Sequence, residues 1–175
     1  IPAIRGRYRS TPIAILVCEA EALAARGVKE LNLVSQDSTQ YGHDLPAART
    51  RPLVAESGSL SRRSRTGARK PDLTDLLQAL EVVRGIRWLR VLYGYPTRVM
   101  GRLLKWMAQS EKFCHYLDIP IQHVSQRILR AMRRSGSADS YRRLVERARG
   151  LVPEVTLRTA IIVGFPGETE REFEE

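Results

Sequence analysis

The chain has 175 residues, 43% of them apolar, and a formal net charge of +10 from 29 Lys and Arg against 19 Asp and Glu. This apolar fraction is enough for a packed core, which excludes wholesale disorder, and no apolar run approaches the roughly 18 residues of a membrane span. The positive charge favours acidic partners such as nucleic acid or the ribosome, although surface arginines without a binding role would produce the same total.

Hydrophobic periodicity predicts helices and strands that alternate along the chain. Helices are predicted over 11–26, 73–84, 97–109, 125–133 and 139–149, with a further helix after Thr169, and strands over 31–34, 88–93, 116–121 and 157–163. Thr11 is expected to cap the first helix, with Pro12 at its first position and Gly27 at its end. Strict alternation with nearly continuous apolar strands predicts a parallel sheet covered by helices. A complete or partial (β/α) barrel is favoured over an open doubly wound sheet, because no Gly-x-Gly-x-x-Gly motif follows a strand.

Residues 46–71 interrupt this pattern. They hold seven Arg and Lys residues against Glu56 alone, and they are rich in Ser, Gly and Pro. The lack of periodicity predicts a long loop or a disordered insert. A loop that contacts the ribosome is the alternative. We favour the poorly ordered insert, and on that view most of the net charge is not a binding face.

Two cysteines, Cys18 and Cys114, form no Cys-x-x-Cys pair, so the chain itself predicts no cysteine metal site. A reduced cytosolic protein is a simpler expectation than a disulfide. Cys18 lies on the apolar stripe of the first helix and is expected to be a core thiol. Cys114 precedes a strand and is also expected to pack.

Polar or Gly- and Pro-rich residues follow each predicted strand, at the edge where parallel α/β proteins bind ligands. Amide and carboxylate side chains there can bind ribose hydroxyls, an amino group or an adenine edge. Structural roles compete: Asp37 can cap a loop, His123 can be hydrogen-bonded beneath the rim, and Gly-Phe-Pro-Gly can be a simple turn. The residues alone therefore predict a parallel α/β enzyme-like domain with a polar rim.

Several long segments go further and resemble the radical S-adenosylmethionine methylthiotransferases. They are Ile-Pro-Ala-Ile-Arg-Gly-Arg-Tyr-Arg-Ser (1–10) with Glu19 in the next helix, Tyr-Leu-Asp-Ile-Pro-Ile-Gln-His (116–123), Ile-Leu-Arg-Ala-Met-Arg-Arg (128–134) and Leu-Arg-Thr-Ala-Ile-Ile-Val-Gly-Phe-Pro-Gly-Glu-Thr (157–169). Leu-Val-Ser-Gln-Asp-Ser-Thr-Gln-Tyr-Gly-His-Asp-Leu (33–45) is similar to the branch that modifies an aspartate of a small-subunit ribosomal protein. The branch that modifies adenosine in tRNA typically has Gly-Gln-Asn-Val at that strand end.

The resemblance implies a reaction and its partners. A [4Fe–4S] cluster on three cysteines binds and reductively cleaves S-adenosylmethionine, and the resulting radical removes hydrogen from an unactivated carbon. A sulfur-bearing auxiliary cluster supplies the methylthio group. The implied partners are a ribosomal protein or the ribosome, RNA and a reductant protein, in the cytoplasm and away from membranes. The alternatives are a tRNA adenosine methylthiotransferase and a non-catalytic basic module that binds the ribosome or RNA.

The chain departs from this family at the cysteine motif. Cys-x-x-x-Cys-x-x-Cys is expected upstream of Ile1, and neither Cys18 nor Cys114 matches it. No catalytic or metal-ligating residue is therefore predicted inside the chain. Residues 1–175 are expected to be a radical SAM core fragment, a partial TIM-like barrel truncated at both ends and inactive alone. The N-terminal auxiliary-cluster domain and the C-terminal TRAM domain of the family are expected to lie outside these residues.

By the same resemblance, the cofactor lies at the strand ends. The predicted cofactor contacts are Gln36, Asp37, Gln122, His123, Arg158, Gly164, Phe165 and Pro166. Arg158 is expected to pair with a carboxylate, either of the cofactor or in a structural salt bridge. Tyr93 and Tyr95 are expected to shape the substrate mouth, with core packing as the alternative for Tyr93.

Overall fold

The computed structural model describes residues 6–47, 69–96 and 101–175. The elements in chain order are α1 Ile13–Ala25, β1 Glu30–Leu33, a 3-10 helix Ser38–Gln40, α2 Leu73–Glu81, β2 Trp88–Val91, α3 Gly101–Met107, β3 Tyr116–Asp118, α4 Gln126–Ala131, α5 Ala138–Leu151, β4 Thr156–Arg158 and α6 Glu170–Glu174. The predicted alternation is confirmed. Most of the insert predicted at 46–71, and the first residues of the helix predicted at 97–109, lie outside the described residues.

The strands are parallel. β1 pairs with β2, with Glu30 opposite Trp88, and β3 pairs with β4, with Tyr116 opposite Thr156. An isolated parallel bridge between Leu89 and Phe113 joins the two pairs. The α/β class is therefore confirmed, while the described residues form two small parallel sheets joined by a bridge rather than a closed barrel. Because the strands share one direction, their carboxyl ends lie at one edge, which we call the strand-end rim.

The strands are shorter than the apolar runs that predicted them, for local reasons. The Thr159 hydroxyl donates to the Ile119 carbonyl at 2.9 Å and accepts the Ile121 N–H at 3.1 Å, so a side chain replaces backbone pairing where β3 and β4 were expected to continue. Pairing resumes at a single bridge between Gln122 and Ile161. β2 stops near Tyr93, whose positive φ of 59° leaves the extended region.

The core lies between the sheets and the helices. It is formed by fully buried side chains of α2, β2 and α3, namely Leu77, Leu89, Leu104 and Met107. Ile128 and Leu129 of α4 are also fully buried, outside this cluster. Trp106 and Phe113 pack with their ring centroids 5.3 Å apart. Burying one such leucine contributes about 2 kcal/mol. This packing holds the strand ends in register.

Two expectations for α1 are wrong. Pro12 rather than Thr11 occupies the N-cap, without a side-chain cap bond, and the Thr11 carbonyl instead accepts the Tyr41 hydroxyl at 2.6 Å. Cys18 is exposed rather than a core thiol, and Cys114 is half-buried. Apolar residues surround most of α1, so periodicity did not identify the buried side, which carries Ala20. Gly27 ends the helix as predicted, at φ 92°.

No helix in the described ranges is long and apolar enough to cross a membrane.

Candidate functional site

The loop after β1 is organised by Asp37. Its Oδ1 accepts the backbone N–H of Thr39 at 3.0 Å and also the Thr39 hydroxyl, while Oδ2 accepts the Gln40 side-chain amide at 2.9 Å. The carboxylate is buried and caps the 3-10 helix, which is the capping role considered from the sequence. Gln36, the preceding residue, is exposed at the rim. This loop therefore presents an amide to solvent and uses its carboxylate internally.

The segment after β2 presents two tyrosines. Tyr93 is 44% exposed, so it is not packed in the core. Tyr95 is half-buried; its N–H donates to the Thr39 hydroxyl at 3.3 Å, and the Arg134 guanidinium lies 5.7 Å from its ring centroid. Between them, the Gly94 N–H donates to the Asp118 carbonyl at 2.8 Å. The expected substrate mouth is thus a surface feature beside the end of β3.

Asp118, which sequence reasoning missed, joins three strand ends. Its side chain is 1% exposed; Oδ1 accepts Arg158 Nη1 at 2.9 Å, and Oδ2 accepts the Tyr93 N–H at 3.1 Å. The carboxylate raises the pKa of the Arg158 guanidinium through this hydrogen bond. Arg158 is 56% exposed along its side chain, so it covers Asp118 from the solvent side. An acidic residue inside the apolar run Tyr-Leu-Asp-Ile was the available signal.

His123 lies beneath the rim at the end of β3. It is 4% exposed, and Nδ1 accepts the Ser125 N–H at 2.9 Å, so the neutral ring carries its proton on Nε2. Nε2 lies 3.4 Å from Glu168 Oε1. Glu168 Oε2 accepts the Phe165 N–H at 2.8 Å, and this backbone bond, with His123 beside it, lowers the pKa of Glu168. The contact between His123 and Glu168 places the Gly-Phe-Pro-Gly turn beside the end of β3, while Glu168 Oε1 itself makes no hydrogen bond within the described residues.

A second attachment lies beside the first and was also missed. Glu172 accepts hydrogen bonds from Arg127, from the Ser125 hydroxyl at 2.9 Å and from the Thr169 hydroxyl at 2.8 Å. The Arg127 bond is the largest of several contributions that lower the pKa of Glu172. Arg127 also donates to the Gly167 carbonyl at 2.6 Å. The start of α4 and the start of α6 are thereby joined across the turn.

The remaining predicted residues line the same edge. Gln122 is half-buried and holds φ 70°, a left-handed conformation that costs a non-glycine residue about 1 kcal/mol. Its carbonyl accepts the Ile162 N–H at 2.8 Å. Gly164 has φ 73°, which favours glycine, and it is exposed like Pro166, whereas Phe165 is half-buried. All ten predicted residues therefore follow or end strands at the rim, although Asp37 and His123 are buried there.

The rim side chains suit an organic ligand better than a metal ion. Amides, an exposed guanidinium, tyrosine rings and a glycine turn suit an uncharged or zwitterionic ligand with hydroxyl, amino and carboxylate groups. Across the described residues, no group of three or more His, Cys, Asp or Glu is placed to hold a metal ion. The rim thus fits the organic cofactor that the sequence implied, whereas the iron–sulfur cluster has no ligand set in this part of the chain.

A cleft of about 380 Å³ is lined by residues of α1, β1 and α2. Its lining includes Tyr8, Glu19, Leu23, Leu31, Ser35 and Leu80. Tyr8, whose pKa burial raises, points its hydroxyl at the Asp37 carbonyl, 3.5 Å away. The cleft therefore reaches the rim at the end of β1, a position that the sequence did not indicate.

Comparison with known proteins gives consistent matches over the entire chain. Residues 1–175 match the model of the radical SAM superfamily. A protein named ribosomal protein uS12 methylthiotransferase RimO from Pelotomaculum thermopropionicum is 45% identical over 175 residues, 100% of this chain and 34% of the relative. Proteins of the same name from Desulforudis audaxviator and Geobacter sulfurreducens are 43% and 40% identical, over 100% and 99% of this chain and 34% of each relative. The chain spans about a third of the length of these relatives.

Proposed function

The chain belongs to the radical SAM superfamily, and we propose that it provides the cofactor-binding core of a methylthiotransferase that modifies an aspartate of ribosomal protein uS12. The observation that carries this proposal is identity of 40–45% along essentially the whole chain to relatives named for that activity. The strand-end rim supports it, because parallel strands bring polar groups from four loops to one edge.

The proposed cofactors are S-adenosylmethionine and [4Fe–4S] clusters. When bound, S-adenosylmethionine supplies the radical that removes hydrogen from the substrate carbon. The chain's own residues bind and orient the cofactor, while the cluster cysteines belong to another part of the polypeptide. Residues 1–175 form one core unit that contributes consecutive strands of a TIM-like barrel, and the auxiliary-cluster and TRAM domains of the family lie outside them. A reductant protein provides electrons, and the protein works in the cytoplasm with the ribosome.

Each rim residue has a proposed role. Gln36 and Gln122 bind the cofactor through their amides, and Gly164, Phe165 and Pro166 form the wall beside its adenine. Arg158 contributes its exposed guanidinium to a carboxylate of the cofactor. Asp37 and His123 act by holding the rim loops, since both side chains are buried. Tyr93 and Tyr95 form the mouth through which the substrate aspartate enters.

The Gln122→Leu variant tests the cofactor site. We expect the full-length polypeptide that carries this change to bind S-adenosylmethionine about tenfold more weakly, because a side-chain amide that bonds a ligand contributes roughly 1.5 kcal/mol. Equilibrium dialysis measures the affinity. The matched control is Gln78→Leu on α2, where the side chain is exposed. Unchanged affinity in the Gln122 variant removes this residue from the site.

Product analysis tests the function itself. The full-length polypeptide that contains residues 1–175 is incubated anaerobically with iron, sulfide, S-adenosylmethionine, a reductant and purified uS12. Mass spectrometry is expected to locate one methylthio group on an aspartate of uS12. Modified adenosine in tRNA, with uS12 unchanged, would assign the protein to the tRNA branch, and no product on either substrate would favour a non-catalytic binding module.

A further inference from the structure

A second cluster of positively charged residues lies outside the insert at 46–71. Residues 127–149 contain eight arginines, and only Asp139 and Glu146 oppose them. Arg127 and Arg142 are neutralised locally, by Glu172 and Asp139. Most of the remaining arginines of this segment are exposed on α4 and α5 and in the connection between them.

One of these arginines, Arg134, lies beside the predicted mouth, and two further exposed arginines are close to it in the chain. Arg130 lies in the last turn of α4, and Arg133 and Arg134 follow the helix; we call these three the rim arginines. Arg134 lies over the ring of Tyr95, and Tyr93 is exposed nearby. None of the three forms an ion pair with a carboxylate of the described residues. Their charge is therefore available to a partner that approaches the mouth.

The backbone of Arg133 has a left-handed conformation, in which glycine would be more stable than arginine. The Arg133 N–H bonds the Arg130 carbonyl at 2.9 Å, and the Arg134 N–H bonds the Leu129 carbonyl at 2.7 Å. These two bonds form the helix C-terminal motif in which glycine usually occupies the left-handed position. Arginine occupies it here, at φ 55°. A strained non-glycine residue at a ligand-facing edge indicates that its side chain has a role there.

From these observations we infer that the rim arginines form an RNA-binding surface that contacts phosphates next to the substrate mouth. Guanidinium groups bind phosphate through paired hydrogen bonds, and the exposed Tyr93 can stack on an unpaired base. The inference depends on the proposed function only for the identity of the RNA, which would be ribosomal RNA. A ribosomal protein is surrounded by ribosomal RNA, so an enzyme that reaches its side chain meets phosphates around its mouth.

Binding is tested with the 175-residue protein and a fluorescent A-form RNA hairpin, without S-adenosylmethionine. Anisotropy is measured at several KCl concentrations for the triple variant Arg130→Gln, Arg133→Gly, Arg134→Gln. The control is Arg26→Gln, Arg87→Gln, Arg149→Gln, which removes the same charge from exposed residues near the opposite ends of the strands. Each lost phosphate contact is expected to weaken binding about fivefold near physiological salt and to reduce the salt slope by about 1.

The single variant Arg133→Gly separates binding from folding. It is expected to weaken RNA binding about fivefold while it raises Tm by roughly 2 °C, because glycine relieves the left-handed strain. Equal losses in the rim and control triple variants would overturn the inference, since net charge would then suffice. Competition by polyglutamate as effective as that by unlabelled hairpin would assign the surface to acidic protein and also overturn it. The RNA-binding assay does not depend on modification of uS12. The RNA-binding inference and the proposed methylthiotransferase function can therefore be disproved separately.

Discussion

At the scale of single residues, Asp118 combines a backbone and a side-chain role. Its carboxylate accepts the N–H of Tyr93, at the end of β2, and pairs with Arg158, at the end of β4. The Tyr93 N–H lies where β2 has stopped pairing, so without Asp118 it would lose its hydrogen-bond acceptor. A part-buried N–H that loses its acceptor costs more than an ion pair with an exposed guanidinium contributes. The backbone bond should therefore dominate the energetic role of Asp118.

Variants of both partners test this ranking. Asp118→Ala is expected to lower the free energy of unfolding by about 2–3 kcal/mol, and Arg158→Ala by about 1 kcal/mol, because water replaces the exposed guanidinium. Asp118→Asn keeps an acceptor for the Tyr93 N–H and should fall between them. Urea unfolding measures all three. A loss from Arg158→Ala as large as that from Asp118→Ala would show that the ion pair dominates.

Residue identity predicted part of the site. Gln36, Gln122 and Gly164 were predicted from their positions after apolar runs, and they lie at the rim. Glu168 was not singled out, because its partner His123 is distant in the chain and nothing local joins the two. The contact of Arg134 with Tyr95 is likewise not predictable from local sequence, because the two residues lie far apart in the chain. The interpretation that most of the net charge lies outside any binding face stays a prediction, because most of the insert at 46–71 lies outside the described residues.

At the scale of elements, α2 and α3 are joined at their amino ends. Asp72 and Asp75 form a capping box at the start of α2, and Arg102 of α3 donates to both carboxylates at 2.6 Å. Arg69 bonds Asp75 at 2.5 Å. Burial alone would raise the pKa of Asp75, but hydrogen bonds from Arg102 and then Arg69 outweigh it and hold the pKa at about 2. The helix pair is thus stabilised by a charged Asp75.

The pH dependence follows from the direction of that shift. A carboxyl group whose folded pKa is about 2, against 3.8 in the unfolded chain, stabilises the fold above the unfolded value and loses this contribution as pH falls through the folded value. Arg102→Met is expected to cost about 1 kcal/mol near neutral pH, with the difference from wild type shrinking between about pH 4 and pH 2. Lys105→Met on the same helix is the charge-matched control. A difference that stays constant across this range would contradict the assignment.

Hydrophobic periodicity predicted the order of the helices and strands, but it did not predict the residues at which they end. Helices repeat apolar residues at three and four positions and strands in continuous runs, and these local signals held along the chain. Thr159 ends the pairing of β3 with β4 through its hydroxyl, and the helix predicted at 73–84 ends at Glu81. The end of an element depends on whether a side chain hydrogen-bonds a backbone group that would otherwise pair. Such a side chain can belong to a neighbouring strand, as Thr159 does.

At the scale of the whole molecule, the chain holds the rim but few candidate ligands for iron. A cluster that leaves one iron site open for the cofactor needs three thiolates, and the sequence contains two cysteines. Cys18 lies on α1, and Cys114 is half-buried just before β3. The cofactor-binding edge and the cluster ligands therefore belong to different parts of the polypeptide in the proposed enzyme.

Reconstitution tests this division. The 175-residue chain, treated anaerobically with iron, sulfide, S-adenosylmethionine and a reductant, is expected to form no appreciable 5′-deoxyadenosine, because it cannot hold a reducing cluster. Liquid chromatography measures the product, and the full-length relative from Pelotomaculum thermopropionicum is the positive control. Appreciable product from the chain alone would contradict the division and would require ligands other than three cysteines.

The sequence by itself determined the family, the alternation of helices and strands, and the positions of the rim loops, because motifs and periodicity are local properties of the chain. Only the tertiary structure decided the pairing of Asp118 with Arg158 and of His123 with Glu168, and the placement of Arg134 beside Tyr95. Asp118 and Arg158 stand 40 residues apart, and adjacent parallel strands bring them within hydrogen-bonding distance. Contacts of this kind depend on strand register, which no single segment encodes.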